Sequence, residues 1–101
     1  MRHAVGPAAN LPIGGLRRAI IADRTLCIAR ADDGELYAVD DACSHEQYSL
    51  SEGDVFGREV ECPQHGSRFD LQTGQCWGLP ATTPIRAYRV SIEDDTVFVE
   101  V

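Results

Sequence analysis

The sequence contains no lysine and no long apolar run. All nine of its basic residues are arginines, against sixteen acidic residues, so the 101-residue chain carries a net charge of −7. This balance argues against a nucleic-acid partner, because proteins that bind nucleic acids need a basic surface. It also argues against an anionic membrane surface. The longest purely apolar stretches span only a few residues, as at 19–22, far fewer than a membrane span requires. We therefore expect neither a nucleic-acid partner nor a membrane partner.

The chain also lacks features of a secreted protein. Its first fifteen residues contain no apolar signal segment, so we expect a cytoplasmic location. The length fits a single domain spanning residues 1–101, and the composition, 44% hydrophobic and 25% charged, is that of a folded globular protein. Four cysteines in a secreted protein would suggest disulfides, whereas in the cytoplasm metal binding is the better expectation. They are Cys27, Cys43, Cys62 and Cys76.

Strand patterns recur along the chain, and helix patterns are scarce. Residues 16–22, 25–31 and 35–39 are short apolar segments, and Asp33-Gly34 between the last two favours a tight hairpin. Residues 88–92 and 96–101 alternate apolar and polar side chains, as half-buried strands do. Short strands separated by turns predict a small antiparallel β-sandwich or barrel. The glycine- and proline-rich segment at about 40–84, with a short strand at 58–62, is expected to form loops on this base.

Two pairs of cysteine and histidine lie in that loop segment. The spacings are Cys43-x-His45 and Cys62-x2-His65, with residues 46–61 between the pairs. Each loop thus offers one thiolate and one imidazole, whereas a zinc finger usually separates paired cysteines from paired histidines. Mixed loops suit a binuclear iron–sulfur centre in which one iron binds both cysteines and the other both histidines. Zinc binding by the same four residues, and a chance arrangement, are the alternatives.

With its flanking residues, this pattern resembles the Rieske 2Fe-2S proteins, and most closely the small ferredoxins of bacterial aromatic-ring dioxygenase systems. The resemblance covers nearly the whole chain and is strongest in CSHEQYSLSEG (43–53), ECPQHGSRFDLQTGQ (61–75) and LPATTPIRAYRV (79–90). It implies an all-β fold, a small Rieske-type antiparallel β-sandwich. A cluster-binding subdomain of two ligand loops and a covering proline loop, at about 40–84, would be inserted in the β base. It also implies one Rieske-type 2Fe-2S cluster as the cofactor.

The resemblance also implies roles for individual positions. Cys43 and Cys62 would bind one iron, and His45 and His65 would bind the outer iron, nearer the surface. Around the cluster, Gly66 would allow close approach of the backbone, Ser67 would match a serine that donates to cluster sulfur, and Pro80 would belong to the covering loop at 78–84. The residues expected to meet a docking partner are Glu46, Gln47 and Gln64.

Two departures from the respiratory Rieske proteins define the subfamily. Those proteins carry an additional cysteine in each ligand loop, joined as a disulfide, where this chain has Tyr48 and Gln64. They also place a tyrosine hydroxyl near the cluster, where this chain has Phe69, and the loss of that donor favours a lower reduction potential. Ser67 opposes this trend, because its match is found in high-potential members. With no N-terminal membrane anchor, the pattern indicates a soluble ferredoxin of the dioxygenase type.

The resemblance implies a one-electron carrier and no enzymatic activity. A Rieske oxygenase also needs a mononuclear iron site of two histidines and a carboxylate, and once the cluster ligands are assigned only His3 remains. No GxGxxG motif is present to bind a nicotinamide cofactor. The expected partners are a flavin-dependent ferredoxin reductase and a terminal oxygenase, and the chain is expected to be a monomer. The alternatives are a Rieske-like small subunit of an assimilatory nitrite reductase and a zinc-binding interaction module.

The remaining notable residues have structural interpretations. We expect His3 in a frayed terminus, Cys27 and Trp77 in the core, and Cys76 in a structural role. Acidic residues crowd the region of the ligand loops and are interpreted as a solvated face or, with a charged partner, as a docking surface. They are Asp40, Asp41, Glu46, Glu52, Asp54, Glu59 and Glu61.

Overall fold

The computed structural model describes residues 1–42, 48–63, 66–77 and 83–101, with the side chain of Trp77 excepted. These ranges contain ten strands and two short 3-10 helices, at Ala8–Asn10 and Leu50–Glu52. The strands are β1 (Arg2–Pro7), β2 (Leu16–Ile21), β3 (Arg24–Arg30), β4 (Leu36–Asp40), β5 (Asp54–Phe56), β6 (Glu59–Glu61), β7 (Arg68–Asp70), β8 (Cys76–Trp77), β9 (Ala87–Glu93) and β10 (Thr96–Glu100). The predicted all-β fold is confirmed.

Six strands form the base of the molecule, in the order β1-β10-β9-β4-β3-β2, and every neighbouring pair is antiparallel. Two-residue turns close the β2–β3 and β9–β10 hairpins. The turn residues Ala22, Asp23, Asp94 and Asp95 all have positive φ, the backbone conformation that matches the twist of a tight hairpin. Among the described strands, β4 and β9 link the two halves of the sheet by pairing, where Ala38 pairs with Tyr88 and Val39 with Ala87.

Strand β3 is buried on both faces, because it separates two hydrophobic cores. Leu26 and Ile28 face the sandwich core, which also contains Ala8, Leu11, Ile21, Leu36, Ala38, Val97 and Val99. Cys27 and Ala29 alternate with them and face the subdomain core, which also contains Ala31, Val39, Leu50, Val60, Cys62, Phe69, Leu71 and Ile85. Successive side chains of a strand point to opposite faces, so one strand serves both cores. The alternation predicted for residues 96–101 is confirmed by the burial of Val97 and Val99.

A second sheet of four antiparallel strands, in the order β5-β6-β7-β8, lies between β4 and β9 in the chain. Val60 and Phe69 pair across β6 and β7 and point into the subdomain core, where both are fully buried. The turns of the two sheets are tied together, since the carboxylate of Asp32 accepts the amide of Gly57 at 2.8 Å and the Asp32 amide donates to the Gly57 carbonyl at 3.0 Å. The second sheet is therefore fixed against the base.

The structure corrects two expectations from the sequence. His3 does not lie in a frayed terminus: it belongs to β1 and pairs with Val99 of β10, because the open edge of β10 accepts another strand. The segment at 40–84 contains more regular structure than the predicted strand at 58–62, since residues 54–56, 68–70 and 76–77 also form strands. No helix in the described part of the chain is long and apolar enough to cross a membrane.

Candidate metal centre

The structure describes three of the ten residues that the sequence assigns to the site: Cys62, Gly66 and Ser67. The remaining seven lie outside the described residues. They are the proposed ligands Cys43, His45 and His65, the covering-loop residue Pro80, and the proposed docking residues Glu46, Gln47 and Gln64. The geometry of the site is therefore given by Cys62 and by the ends of the three loops.

Cys62 follows the last residue of β6, at the start of the loop that contains His65. Its side chain is 1% exposed and belongs to the subdomain core, together with Leu50 and Phe69. The Cys62 amide donates to the carbonyl of Ser67 at 2.7 Å, which closes the loop where β6 leaves and β7 begins. This cysteine thus has an apolar surrounding and a fixed backbone, as a buried metal ligand requires.

Gly66 and Ser67 form the returning side of the same loop. Gly66 has a φ of +74°, a conformation that strongly favours glycine, and no described atom lies within 4 Å of the position a Cβ would take. Ser67 is fully buried, although its side chain carries a hydroxyl group. The backbone at Gly66 is open and exposed, and the serine turns inward beside Cys62. The roles that the family resemblance implies for Gly66 and Ser67 stay predictions.

The backbone segments that precede and follow the first ligand loop pair with each other. Ala42 and Ser49 form an isolated antiparallel bridge on the two sides of residues 43–48. Immediately beyond it, the amide of Leu50 donates to the carbonyl of Asp41 at 2.7 Å. Leu50 is fully buried in the subdomain core, which also contains Cys62. The loop that contains Cys43 and the loop that follows Cys62 therefore start from one hydrophobic core.

The covering loop has similarly fixed ends. It is preceded by β8, in which Cys76 pairs with Phe69, and it is followed by Ile85, a buried member of the subdomain core. The Ile85 amide donates to the carbonyl of Gly74 at 2.9 Å, which joins the two sides of the loop. The described ends of all three loops are thus held against the subdomain core.

The acidic residues near the site form several pairs in addition to a solvated face. Arg68 places its Nε 3.0 Å from an oxygen of Glu61 and its NH1 3.7 Å from Glu59, and its guanidinium stacks over the ring of Phe56 at 4.4 Å. Asp41 is not on a solvated face at all, because its side chain is only 3% exposed. The interpretation as part of a solvated face is therefore wrong for Asp41, whereas Glu59 and Glu61 are partly exposed and paired with Arg68.

Asp70 ends β7 and organises the turn that leads to β8. One of its oxygens accepts the amides of Gln72 at 2.8 Å and Thr73 at 3.1 Å, and the other lies 3.3 Å from the guanidinium of Arg58. Burial by itself would raise the pKa of Asp70, but these donors outweigh it and hold the pKa below its ordinary value. The carboxylate is therefore charged at neutral pH and stabilises the turn.

Cys27 and Cys76 have the structural places that the sequence predicts. Cys27 is fully buried in β3, and burial, followed by the nearby charge of Asp41, raises the pKa of its thiol far above the ordinary value. A thiol that stays protonated is a poor metal ligand, because thiolates bind metals. Cys76 is half-buried against the subdomain core, and no disulfide joins it to Cys27.

Comparison with known proteins agrees with this geometry. The Rieske 2Fe-2S domain family matches residues 1–89. The ferredoxin subunit of the 3-phenylpropionate/cinnamic acid dioxygenase of Photorhabdus laumondii is 43% identical over 94 residues, which cover 91% of this chain and 87% of that protein. The ferredoxin component of the p-cumate 2,3-dioxygenase system of Pseudomonas putida is 46% identical over 70 residues, which cover 68% of this chain and 59% of that protein.

A solved structure shows the same fold. It is the complex of reduced oxygenase and oxidised ferredoxin in carbazole 1,9a-dioxygenase, in which a matched chain superposes with a TM-score of 0.90 at 33% identity. The superposition covers 97% of this chain and all of the matched chain. The predicted Rieske-type sandwich is therefore confirmed.

The described residues fit the cluster that this family carries. A Rieske centre needs two thiolates and two imidazoles from two loops, and the chain supplies that donor set at 43, 45, 62 and 65. The one proposed ligand that the structure describes, Cys62, is buried in an apolar core with its backbone fixed. The predicted cofactor, one Rieske-type 2Fe-2S cluster, is confirmed by the family match. Since that match spans most of the sequence, the chain belongs to the Rieske 2Fe-2S family.

Proposed function

We propose that this chain carries single electrons from a flavin-dependent ferredoxin reductase to the terminal oxygenase of an aromatic-ring dioxygenase system. The observation that carries the proposal is the 43% identity to a dioxygenase ferredoxin subunit across 87% of that protein. The likeness to a chain in a complex of oxygenase and ferredoxin supports the same role. A monomeric state and a cytoplasmic location are parts of this proposal.

In this proposal Cys43 and Cys62 hold one iron, and His45 and His65 hold the other. The buried position of Cys62 supports an inner place for the thiolate-bound iron, while the exposure of Gly66, which follows His65 in the sequence, supports an outer place for the imidazoles. When bound, the cluster supplies a one-electron redox couple. The proposed docking residues Glu46, Gln47 and Gln64 lie in the same two loops, so a partner that meets them would meet the histidine side of the site.

The chain's own contribution is to hold the ligands and exclude water. Leu50, Val60 and Phe69 are fully buried behind Cys62, so the inner side of the site is apolar. The fixed ends of the loops limit how far the ligands move between the oxidised and reduced states. A small change in ligand geometry between the two redox states favours fast electron exchange. The chain must also release each partner protein after the transfer, so we expect a small, transient interface.

Two substitutions of cysteine test the ligand assignment. We expect purified protein to be reddish-brown with two irons and two sulfides per chain. Cys62→Ser should lose the cluster and its colour. Cys76→Ser is the matched control, because Cys76 is half-buried in the same subdomain and is not a proposed ligand. A colourless zinc-bound protein, or a Cys62→Ser variant with an unchanged spectrum, would contradict the assignment.

Reconstitution tests the proposed role. With a flavin-dependent reductase, NADH and a terminal aromatic oxygenase, product formation should depend on added holoprotein and stop when it is omitted. The alternative role, a small subunit of an assimilatory nitrite reductase, predicts instead that the gene lies beside one for a sirohaem enzyme and that the chain supports no oxygenase. A holoprotein that forms the cluster but fails to reduce any aromatic oxygenase would favour that alternative.

A further inference from the structure

Two adjacent aspartates at the end of β4 bind the backbone of two different loops. Asp40 is the last residue of β4, and Asp41 follows it, two positions before the proposed ligand Cys43. Successive side chains of an extended chain point in opposite directions. The Asp41 side chain turns inward and is 3% exposed, whereas Asp40 is half-buried on the other side. Neither residue is a proposed metal ligand.

Asp41 closes the first ligand loop. One carboxylate oxygen of Asp41 accepts the amide of Ser51 at 2.9 Å, and its main-chain carbonyl accepts the amide of Leu50 at 2.7 Å. Its own amide donates to the carbonyl of Thr25 in β3 at 3.0 Å. Three hydrogen bonds therefore join the segment before the loop to the segment after it and to the sandwich. A buried carboxylate that accepts a backbone amide makes one of the stronger hydrogen bonds in a protein.

Asp40 holds the segment that leaves the covering loop. One carboxylate oxygen accepts the hydroxyl of Tyr88 at 2.6 Å, and the other accepts the amide of Arg86 at 3.2 Å. The Asp40 amide also donates to the carbonyl of Arg86 at 2.9 Å. The same two-residue segment is thus hydrogen-bonded to the ends of both the first ligand loop and the covering loop.

We infer that Asp40 and Asp41 are a positioning pair that sets the separation of the first ligand loop and the covering loop around the cluster. This inference rests on the proposed ligand assignment. If the pair had a purely structural role, its hydrogen bonds would stabilise the fold in the same way as many other contacts. A positioning role makes the geometry of the bound cluster depend on the hydrogen bond between Asp41 and Ser51, which can be broken without touching a ligand.

The test compares Asp41→Ala with Asp41→Asn in the holoprotein. Both substitutions remove the same charge, but only asparagine keeps an oxygen that can accept the Ser51 amide. We expect Asp41→Ala to release iron to a chelator about tenfold faster than Asp41→Asn, and to shift the EPR g values of the reduced cluster relative to Asp41→Asn. The factor is what the loss of one neutral, buried hydrogen bond allows, because both variants lack the charge.

Asp32→Ala is the matched control. The Asp32 carboxylate also accepts one backbone amide, that of Gly57, at 2.8 Å, but it lies in the β3–β4 turn rather than beside a ligand loop. We expect this variant to lose thermal stability and keep the wild-type iron-release rate and g values. Equal release rates and g values for the two Asp41 variants would overturn the Asp41 half of the inference. So would an Asp32→Ala variant that reproduces every effect of Asp41→Ala.

Tyr88→Phe keeps the inference testable if Asp41→Ala does not fold. It removes the hydroxyl that donates to Asp40 and accepts from the exposed guanidinium of Arg24 at 3.3 Å, and Tyr88 is itself partly exposed, so folding is expected. We expect iron release to rise about threefold, since the hydrogen bond to a less buried carboxylate is lost and the longer, exposed bond from Arg24 adds little. A wild-type release rate in this variant would overturn the Asp40 half. A wild-type protein that binds no iron would instead contradict the proposed function, so the two failures are distinguishable.

Discussion

The amide of Cys62 donates to the carbonyl of Ser67 at 2.7 Å, and both side chains are buried. The hydrogen bond joins the two sides of a four-residue segment, in which the described Gly66 has the left-handed conformation. This arrangement turns the Ser67 side chain and the Cys62 thiol toward the same interior. A proposed ligand and a potential hydrogen-bond donor to the cluster are thus fixed relative to each other by a single backbone contact.

Replacing Ser67 with alanine should lower the reduction potential. By the family resemblance, the hydroxyl donates to a cluster sulfur, and such a donor stabilises the reduced, more negative state. A net hydrogen bond is worth about 0.5–1.5 kcal/mol, which corresponds to a decrease of roughly 20–60 mV for a one-electron couple. Protein-film voltammetry measures the change. Ser91→Ala, at an exposed position of β9, is the control, and an unaltered potential in Ser67→Ala would show that the hydroxyl does not reach the cluster.

Replacing Phe69 with tyrosine should raise the reduction potential. Phe69 is fully buried in the subdomain core with Cys62, and respiratory Rieske proteins have a tyrosine hydroxyl at the matching position. The added hydroxyl would supply the donor that this chain lacks, again by roughly 20–60 mV. Phe56→Tyr, at an exposed position of β5, should leave the potential unchanged. If Phe69→Tyr unfolds at lower denaturant and keeps the wild-type potential, the hydroxyl is buried without a partner and the prediction is wrong.

Gly74 should tolerate substitution far less than Gly34. Both have positive φ, +80° and +86° respectively, so alanine strains the backbone at either position. A Cβ at Gly74 would also lie 1.9 Å from the carbonyl oxygen of Ile85, whereas nothing lies within 4 Å at Gly34. We expect Gly74→Ala to lower the free energy of unfolding by about 2 kcal/mol more than Gly34→Ala. Chemical denaturation of both variants measures the difference, and equal losses would mean that Ile85 moves away freely.

Much of the fold and the kind of metal centre could be predicted from the sequence, for identifiable reasons. Alternation revealed β10, because a strand with one buried face must place Val97 and Val99 on the same side. No such pattern marks β1, whose residues RHAVGP include Gly6 and Pro7, so only the open edge of β10 decides its structure. The spacing of the cysteines and histidines indicated the metal site, because a Rieske centre binds through thiolates and imidazoles, which only these residue types supply.

The supporting contacts of the site could not be predicted in the same way. Asp40 and Asp41 look like exposed charges in the sequence, because neighbouring acidic residues usually face water. Their partners, Ser51, Arg86 and Tyr88, lie ten to 48 positions away in the chain. Only the tertiary structure brings these groups together, so no local sequence pattern predicts their hydrogen bonds.

The hydroxyl of Tyr88 should ionise only at unusually high pH. Burial first, and then the hydrogen bond that Tyr88 donates to Asp40, raise the pKa of Tyr88 above its ordinary value of about 10. When the pKa of a hydroxyl is higher in the folded than in the unfolded state, the protonated hydroxyl stabilises the fold. This contribution is complete at pH values below the unfolded-state pKa and is lost as the pH rises through the folded-state pKa. The stability of the wild type relative to Tyr88→Phe should therefore be constant from pH 7 to about 9 and fall above about pH 10.

Two measurements check this pH dependence. Denaturant unfolding at each pH gives the stability difference, and the difference in absorbance at 295 nm between the wild type and Tyr88→Phe gives the ionisation of Tyr88 directly. Tyr37→Phe is the comparison variant, because the Tyr37 hydroxyl lies 3.4 Å from Asp33, away from Asp40. A Tyr88 ionisation at or below pH 10 would contradict the prediction.

Removal of the cluster should loosen the second sheet and leave the sandwich intact. The sandwich core contains Leu26, Ile28 and Val99, whereas Cys62, the proposed ligand that the structure describes, lies in the subdomain core, so we expect the packing of the sandwich not to depend on metal. The ligand loops, by contrast, are joined to each other by the cluster, and metal binding contributes to folding where it joins separate segments. Because the chain has no lysine, trypsin can cleave it only after arginine, which makes the cleavage pattern simple to read.

Two arginines, Arg58 and Arg68, lie on either side of Cys62 and His65 in the sequence. Another two, Arg17 and Arg18, lie in β2 of the sandwich. In the apoprotein, we expect cleavage after the first pair to be about tenfold faster than in the holoprotein, since local opening no longer has to break metal ligation. Cleavage in β2 should keep the same rate in both forms and serves as the internal control. Mass spectrometry of the early fragments distinguishes the sites. Equal acceleration of cleavage after all four arginines would mean that the cluster stabilises the whole fold. Equal cleavage rates with and without metal would mean that the protein alone holds the loops.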